Sequence, residues 1–271
     1  MQLGRVLLPA RFAYKAAGVA LNGAATMSPL PGSPNVWEVR LPEEKLAFLW
    51  PTRPDPNMWF MIEQEIDVRN PHCYTTAPIK LDGQATVLDV GACEGLFAYR
   101  ALRRGLAKRV IAFEPSPIMA TLIEKGMASN GIASGLQVVR AAVGEKSGSL
   151  KFDFDTTADA GRIAPDGARG TEVPCVTIDD YCRDSFVTLS QRDLIKIDAE
   201  GADFDVLKGA EETIRRYGPQ IAVTTYHVDE HAASIAAWLQ RIRPDYRMRL
   251  KGFSFWTDTP RPVLLQASTL T

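Results

Sequence analysis

The hydrophobic and polar positions change rhythm twice along the chain. Residues 1 to about 35 are rich in Ala, Gly and Pro and end in SPLPGSPN, a stretch without a regular period that predicts a loosely ordered arm or accessory lobe. From Val36 to about Tyr74, the short alternating pieces WEVRL, AFLW, MWFMI and EIDV are separated by Pro-rich turns such as PTRPDPN, which predicts a small β-rich lead-in. Beyond about Lys80 the rhythm becomes strand, helix, strand, helix: VLDV, a helix over 96–104, VIAF, a helix over 117–129, then LQVVR. SLKFDF, VPCVTI and DLIKID read as further strands, followed by the helical DFDVLKGAEETIRRYG closed by Gly218-Pro219, and by a core strand QIAVTTYH that ends at His227. A helix over 232–241 and the strands YRMRL and PVLLQ complete the pattern. This alternation predicts an α/β, Rossmann-like fold, with a mainly parallel central sheet, helices on both faces and an N-terminal β-rich extension. The expected division is 1–79 for the arm and lead-in and 80–271 for the main domain.

The glycines of VLDVGACEGLFAYR fall where the first core strand gives way to a helix, a position at which α/β proteins bind nucleotides. Residues without a Cβ let a ligand approach the main chain, and exposed N–H groups at a helix start favour acceptor oxygens. A dinucleotide fingerprint is not met, because its second and third glycine positions hold Cys93 and Leu96. The next strand, VIAFEP, ends in Glu114, 23 positions after Gly91, and a carboxylate there can accept both hydroxyl protons of a ribose. Taken singly, Gly91 and Gly95 could serve only a tight turn, Glu114 a helix start and Asp89 an N-cap. The order strand, turn, helix, strand, acid favours an adenosine ligand over those readings.

VLDVGACEGLFA, RVIAFEPSP, VVRAAVGEKSGSLKF, VTIDDY, LIKIDAEGADFDVLKGA and the TTYH strand end stand in the order seen in the FkbM-type methyltransferases. The chain resembles that branch of the class I S-adenosylmethionine-dependent enzymes over residues 80–257. The resemblance implies a class I methyltransferase fold with S-adenosylmethionine as cofactor. It sets Asp89, Gly91, Ala92 and Gly95 around the amino-acid end and Glu114 on the ribose. Pro115 and Ser116, with Arg140, Ala141 and Ala142, would lie near the adenine. The family usually has Asn where this chain has Cys93. The implied reaction is O-methylation of a hydroxyl on a small molecule, a natural product or sugar. A nicotinamide-dependent oxidoreductase and a non-catalytic adenosine-ligand-binding protein of the same fold are the alternatives.

A second charged group sits in DLIKIDAEG. Lys196, Asp198 and Glu200 alternate with apolar residues and so point to one side while the strand persists. Charges in a central strand need partners or an open edge. One reading is a Lys196–Asp198 ion pair with Glu200 capping a helix that starts near Ala202. The functional reading makes Lys196, Asp198 and Glu200 part of the catalytic site, with Asp198 and Glu200 facing the transferred methyl group and Asp198 also touching the cofactor. His227, at the neighbouring strand tip, is the candidate general base, since a neutral imidazole can take the proton of an alcohol as it attacks. Asp198, Glu200 and His227 could alternatively hold Mg²⁺, Mn²⁺ or Ca²⁺. HVDEH also satisfies H-x-x-E-H, a zinc-protease signature that needs both histidines on one helical face. A β-type run ending at His227 argues against it.

Composition adds only boundaries. With 46% hydrophobic and 23% charged residues, a net charge of −1 and a pI near 6.3, the chain is ordinary for a globular protein and has no general attraction for nucleic acid or anionic membrane. Cys73, Cys93, Cys175 and Cys182 form no C-x-x-C pair and read as reduced thiols. Residues 16–25 imitate a signal peptide weakly, Asn22 and two glycines diluting the apolar run, so a cytoplasmic location is expected. A hydroxylated small molecule is the expected partner, with self-association also open. The Gly-, Ala- and Asp-rich stretch over 156–171 is expected to shape the acceptor pocket with the N-terminal region.

Overall fold

The computed structural model describes residues 25–53, 56–132, 134–154, 161–164, 170–254 and 256–270, with the side chains of Pro56, Asn57, Trp59, Phe60 and Arg162 left aside. The expected arm over 1–35 therefore lies outside the described residues as far as Ala24. The rest begins with an antiparallel sheet of β1 (Thr26–Leu30), β2 (Ser33–Leu41) and β3 (Leu46–Trp50). The lead-in differs from expectation in its second half. MWFMI and the first half of EIDV belong not to strands but to α1 (Pro56–Ile66), where Met58 and Ile62, one turn apart, are both buried, and Asp67 and Val68 follow in the turn beyond it. Four-residue spacing outweighs the alternation visible in shorter pieces.

The central sheet follows the predicted alternation. β4 (Ala85–Val90), α2 (Leu96–Arg103), β5 (Ala107–Phe113), α3 (Pro117–Asn130) and β6 (Leu136–Val139) form one half. Local chemistry sets the ends of α3: Ser116 Oγ accepts from the Met119 N–H at 3.3 Å, Pro117 opens the first turn, and Gly131 closes the helix at φ 63°. A smaller sheet branches off next. Its strands are β7 (Ala142–Val143), β8 (Gly148–Asp153), β9 (Arg162–Ile163) and β10 (Thr171–Val176), in the order β7-β10-β8-β9.

The second half comprises α4 (Ile178–Asp184), β11 (Leu194–Ile197), α5 (Asp203–Lys208), α6 (Glu211–Tyr217), β12 (Gln220–Thr224), α7 (His231–Ile242), β13 (Arg247–Phe253) and β14 (Pro262–Ser268). The helix expected over DFDVLKGAEETIRRYG is two helices, broken at Gly209. A Cβ on Gly209 would lie 2.1 Å from the Gly144 carbonyl oxygen, so the chain needs glycine where it presses against the smaller sheet. β12 stops at Thr224 rather than at His227. The Thr225 N–H still pairs with the Val263 carbonyl, and the backbone then bends away from the sheet.

The seven strands lie in the order β13-β14-β12-β11-β4-β5-β6, parallel from β12 through β6, with β14 antiparallel to both its neighbours. Alternate side chains fill two cores. Val87, Val110, Ala112 and Leu194 pack with α2, α3 and the first sheet, while Leu88, Ile111, Ile195 and Ile221 pack with the later helices. Among the described residues no helix is long and apolar enough to cross a membrane.

Asn130 fastens the lead-in to the main sheet. Buried at the end of α3, it accepts from the Ala47 N–H at 2.9 Å and donates to the carbonyls of Ala47, at 2.6 Å, and Gly126, at 2.9 Å. Asn130→Ala strands both backbone groups of Ala47 inside the protein, a loss of about 2–4 kcal/mol. Thermal unfolding followed by circular dichroism should show a melting temperature lowered by about 5–15 °C.

Candidate active site

The site forms where β4 and β11 end side by side. Their parallel register sets Asp89 opposite Lys196 and Val90 opposite Ile197. Lys196 Nζ lies 2.9 Å from Asp89 Oδ1 and donates to the Gly91 carbonyl at 2.7 Å. The Lys196–Asp198 pair that one reading of the sequence offered gives way to one with Asp89, because the two side chains share a face of neighbouring strands. The rings of Tyr74 and Phe97 flank the ammonium at 5.2 and 5.8 Å. Burial alone would lower the Lys196 pKa, but Asp89, Asp198 and Glu65 hold it above its ordinary value. Burial in turn raises Asp89, against the opposing pull of Lys196. Both residues lie beneath the glycine turn rather than on the cavity wall.

The turn itself is spent differently from expectation. The N–H groups of Gly91 and Ala92 both donate to the Phe113 carbonyl, at 3.1 and 3.2 Å, so neither is held out for a ligand. Gly91 sits at φ 74° and Cys93 at φ 48°. That geometry aims the Cys93 N–H at Glu114 Oε2, 2.9 Å away, while the Ser116 N–H donates to Oε1 at 2.8 Å. Glu114 is therefore clamped through both oxygens at the tip of β5. Burial pushes its carboxyl up to about 7, although the two N–H groups and Lys196 favour the ionised form.

Glu114 lines a cavity of about 260 Å³ together with Gly91, Cys93, Pro115, Ala141 and Ala142. Asp198, Glu200 and Tyr226 line it as well. Met61 and Gln64 of α1 reach it from the lead-in, and Gly161 and Ile163 from the stretch expected to shape the acceptor pocket; within that stretch, residues 156–160 and 165–169 lie outside the described residues. Of the other proposed cofactor contacts, Ala92, Gly95 and Ser116 stand behind the wall and shape the turn and Glu114. Arg140 points elsewhere. Its guanidinium reaches Glu124, Thr121 and the Pro117 carbonyl on the face of α3, at distances of 2.7–3.3 Å.

At the β11 end the chain leaves the strand after Ile197, and Glu200 adopts φ 48°. Asp198 Oδ2 accepts from the Tyr74 hydroxyl at 2.7 Å, and Thr224 Oγ1 lies 3.2 Å from Oδ1. Behind them Asp203, wholly buried, gathers the Ala199 N–H at 2.9 Å, the Gly201 N–H at 3.2 Å, the Thr224 hydroxyl at 2.8 Å and His227 Nδ1 at 3.0 Å. Burial would raise the Asp203 pKa, but His227 and these donors hold it below the usual carboxylate range. His227, its side chain 10% exposed, turns Nε2 towards Asp198 Oδ1 at 3.7 Å and Glu200 Oε2 at 3.6 Å. Burial alone would lower its pKa; the bond to Asp203 and the charges of Asp203, Asp198 and Glu200 push it up to about 9. With nothing bound at Nε2, these acids favour the protonated ring.

The structure brings Asp198, Glu200 and His227 together, with one ligand atom from each within 4.8 Å of the others. It does not set His231 beside them on one helix face. His231 opens α7, whereas His227 precedes it on a bend, so the zinc-protease arrangement is not formed. Asp203, Tyr74 and Thr224 escape sequence reasoning. Asp203 reads as a helix-start charge, and Tyr74 lies 124 positions from the carboxylate it touches.

The profile of the methyltransferase FkbM domain matches residues 89–254. The chain is 24% identical over 199 residues to methyltransferase sdnD of Sordaria araneosa, covering 62% of this chain and 76% of that one. It is 26% identical over 160 residues to methyltransferase 1 of Beauveria bassiana, covering 52% and 63%. The crystal structure of the FkbM methyltransferase of Methylobacillus flagellatus superposes with a TM-score of 0.54 at 21% identity, over 72% of this chain and 46% of that one. The strand order and the likeness agree on a class I, Rossmann-like methyltransferase fold, and the profile covers more than half of the sequence. The chain belongs to the FkbM family of methyltransferases.

Proposed function

We propose that this chain transfers the methyl group of S-adenosylmethionine to a hydroxyl of a small molecule, of natural-product or sugar type. The observation that carries the reading is Glu114, clamped by two backbone N–H groups at the tip of the second core strand with lone pairs left for a ribose. The charge around the turn fits the same ligand. Asp89, Glu94 and Glu114 are buried there, with Glu65 on α1 pushed up to about 8 by its own burial, and Lys196 is the cation facing them. Burial favours the neutral forms of these acids, and a positively charged ligand beside them would favour the ionised ones. S-adenosylmethionine would supply a methyl group on a sulfonium.

The residues that line the cavity after β11 then act on the acceptor. Asp198 and Glu200 accept hydrogen bonds from its hydroxyl and draw the proton away as the new C–O bond replaces the C–S bond. Tyr74 and Thr224 hold Asp198 in place for this. Lys196 serves as a positioning residue, fixing the Gly91 carbonyl rather than meeting the substrate. Asp203 orients His227, whose charge steadies the two carboxylates.

Ribose hydroxyls donate to an ionised Glu114, so binding favours loss of the proton that the buried carboxyl tends to keep. Calorimetric affinity for S-adenosylhomocysteine should be full above about pH 7 and fall as the pH drops through that value, by up to about tenfold per unit. Glu114→Gln should bind weakly and lose this slope, which separates Glu114 from the nearby Glu65.

A screen of hydroxylated small molecules with S-adenosylmethionine, read by mass spectrometry, should yield a product one methyl heavier. Asp198→Asn should lower its rate by about 10²–10⁴-fold while S-adenosylhomocysteine affinity stays within about threefold. A folded chain that binds NADH and not S-adenosylhomocysteine would be an oxidoreductase and end the proposal. One that binds S-adenosylhomocysteine and methylates nothing in the screen would count against its acceptor half.

A further inference from the structure

The surroundings of His227 make opposite demands on its two ring nitrogens. Nδ1 faces Asp203 Oδ2 at 3.0 Å, and Asp203 is wholly buried, so Nδ1 is committed to donating there. Nε2 is buried, makes no hydrogen bond, and looks into the gap between Asp198 and Glu200. A carboxylate behind an imidazole whose other nitrogen meets further carboxylates is the arrangement in which histidine ligates metal ions, the rear carboxylate fixing the tautomer. The spacing suits an ion. Adjacent ligands about 2.1–2.5 Å from a hard divalent cation stand about 3.0–3.5 Å apart; Nε2 lies 3.6 and 3.7 Å from the two carboxylates and all three ligand atoms are within 4.8 Å of one another, so a small inward shift of the side chains closes them onto an ion.

We propose that Asp198, Glu200 and His227 Nε2 bind one divalent cation, with Asp203 as the carboxylate that orients the imidazole. Two carboxylate oxygens suit Mg²⁺, Ca²⁺ or Mn²⁺, and the imidazole shifts the preference towards Mn²⁺. The neighbouring lysine does not oppose it, since the Lys196 ammonium is committed to Asp89 and the Gly91 carbonyl. The side of the gap next to the half-exposed Glu200 opens to the cavity. A hydroxyl entering from the cavity would complete the ion's coordination and pass its proton more readily to a carboxylate oxygen of Glu200 that does not hold the ion. This use of the ion rests on the methyl-transfer reading above; the binding site itself does not.

The full chain, stripped with EDTA and dialysed, is titrated with MnCl₂ while the free Mn²⁺ signal is followed by electron paramagnetic resonance. One Mn²⁺ per chain should disappear from solution, and pulsed spectra of the bound ion should carry the ¹⁴N coupling of one imidazole. His227→Ala should remove that coupling, Glu200→Gln should abolish or strongly weaken uptake, and Asp203→Asn should weaken it about 10–100-fold. A thermal melt of each variant, and the ¹⁴N coupling in the unaltered protein, keep the test independent of a misfolded mutant. The proposal falls if no stoichiometric Mn²⁺ binds, which would leave a proton on Nε2 as the bridge between the carboxylates. It falls equally if uptake is unchanged in Glu200→Gln and His227→Ala. S-adenosylhomocysteine is titrated into the same samples. Its binding without Mn²⁺ overturns the cation alone, and bound Mn²⁺ with ¹⁴N coupling but no S-adenosylhomocysteine leaves the cation site standing and removes the methyl-transfer reading.

Discussion

The carbonyl oxygen of Asp198 approaches the Cα of Gly91 so closely that a Cβ there would lie 1.9 Å from it. No side chain fits at that point, and the positive φ of Gly91 is equally unfavourable to any other residue. The contact draws the ends of β4 and β11 together, reinforced by the Asp198 N–H on the Val90 carbonyl at 3.0 Å and by Lys196 on the Gly91 carbonyl. The glycine turn and the acidic loop after β11 consequently form one rigid edge. Glu114 is registered to that edge through Cys93, and Asp198 is part of it, so the two carboxylates keep a fixed relation to one another. A reaction that needs a donor and an acceptor in line depends on such a relation.

Electrostatics follows from the same packing. Carboxylates outnumber cations at the buried strand ends, and each cation present has a structural assignment: Lys196 with Asp89 under the turn, His227 with Asp203 behind the acidic loop. Burial raises Glu65, Asp89, Glu94 and Glu114, whereas Asp203, ringed by donors, is lowered. Acids in one small region are thus tuned in opposite directions by whether backbone and imidazole donors reach them. Of the raised group, Glu114 lines the cavity. The lowered one acts as a fixed anchor.

Much of this could be read from the sequence because the α/β pattern is written in local periodicity. β4, β5, β11 and β12 are short apolar runs, and Ser116, Pro117 and Gly131 mark the ends of α3 in their own chemistry. Glu114 was legible as well, since its place after Phe113 needs only the strand to be recognised. What could not be read depends on contacts between distant segments. The partner of Lys196 is settled by strand order, not by the sequence near Lys196. The split at Gly209 answers to Gly144, just past the end of β7 in the smaller sheet. The MWFMI stretch resembles a strand over five residues and declares itself a helix only over eleven. His227 was found for its position, but its protonation depends on Asp203, which sequence alone assigns to a helix start.

The lead-in has a place in the site that its separate sheet conceals. Met61 and Gln64 of α1 form part of the cavity wall, Tyr74 holds Asp198, and the Glu65 carbonyl is bonded by Arg100 of α2. The portion of the chain with the least family character therefore frames the chamber in which family chemistry takes place. The shape of the cavity in such an arrangement can diverge by changes in that leading segment alone, while the glycine turn and Glu114 stay untouched. Two proteins sharing every motif from β4 onward could accept quite different molecules.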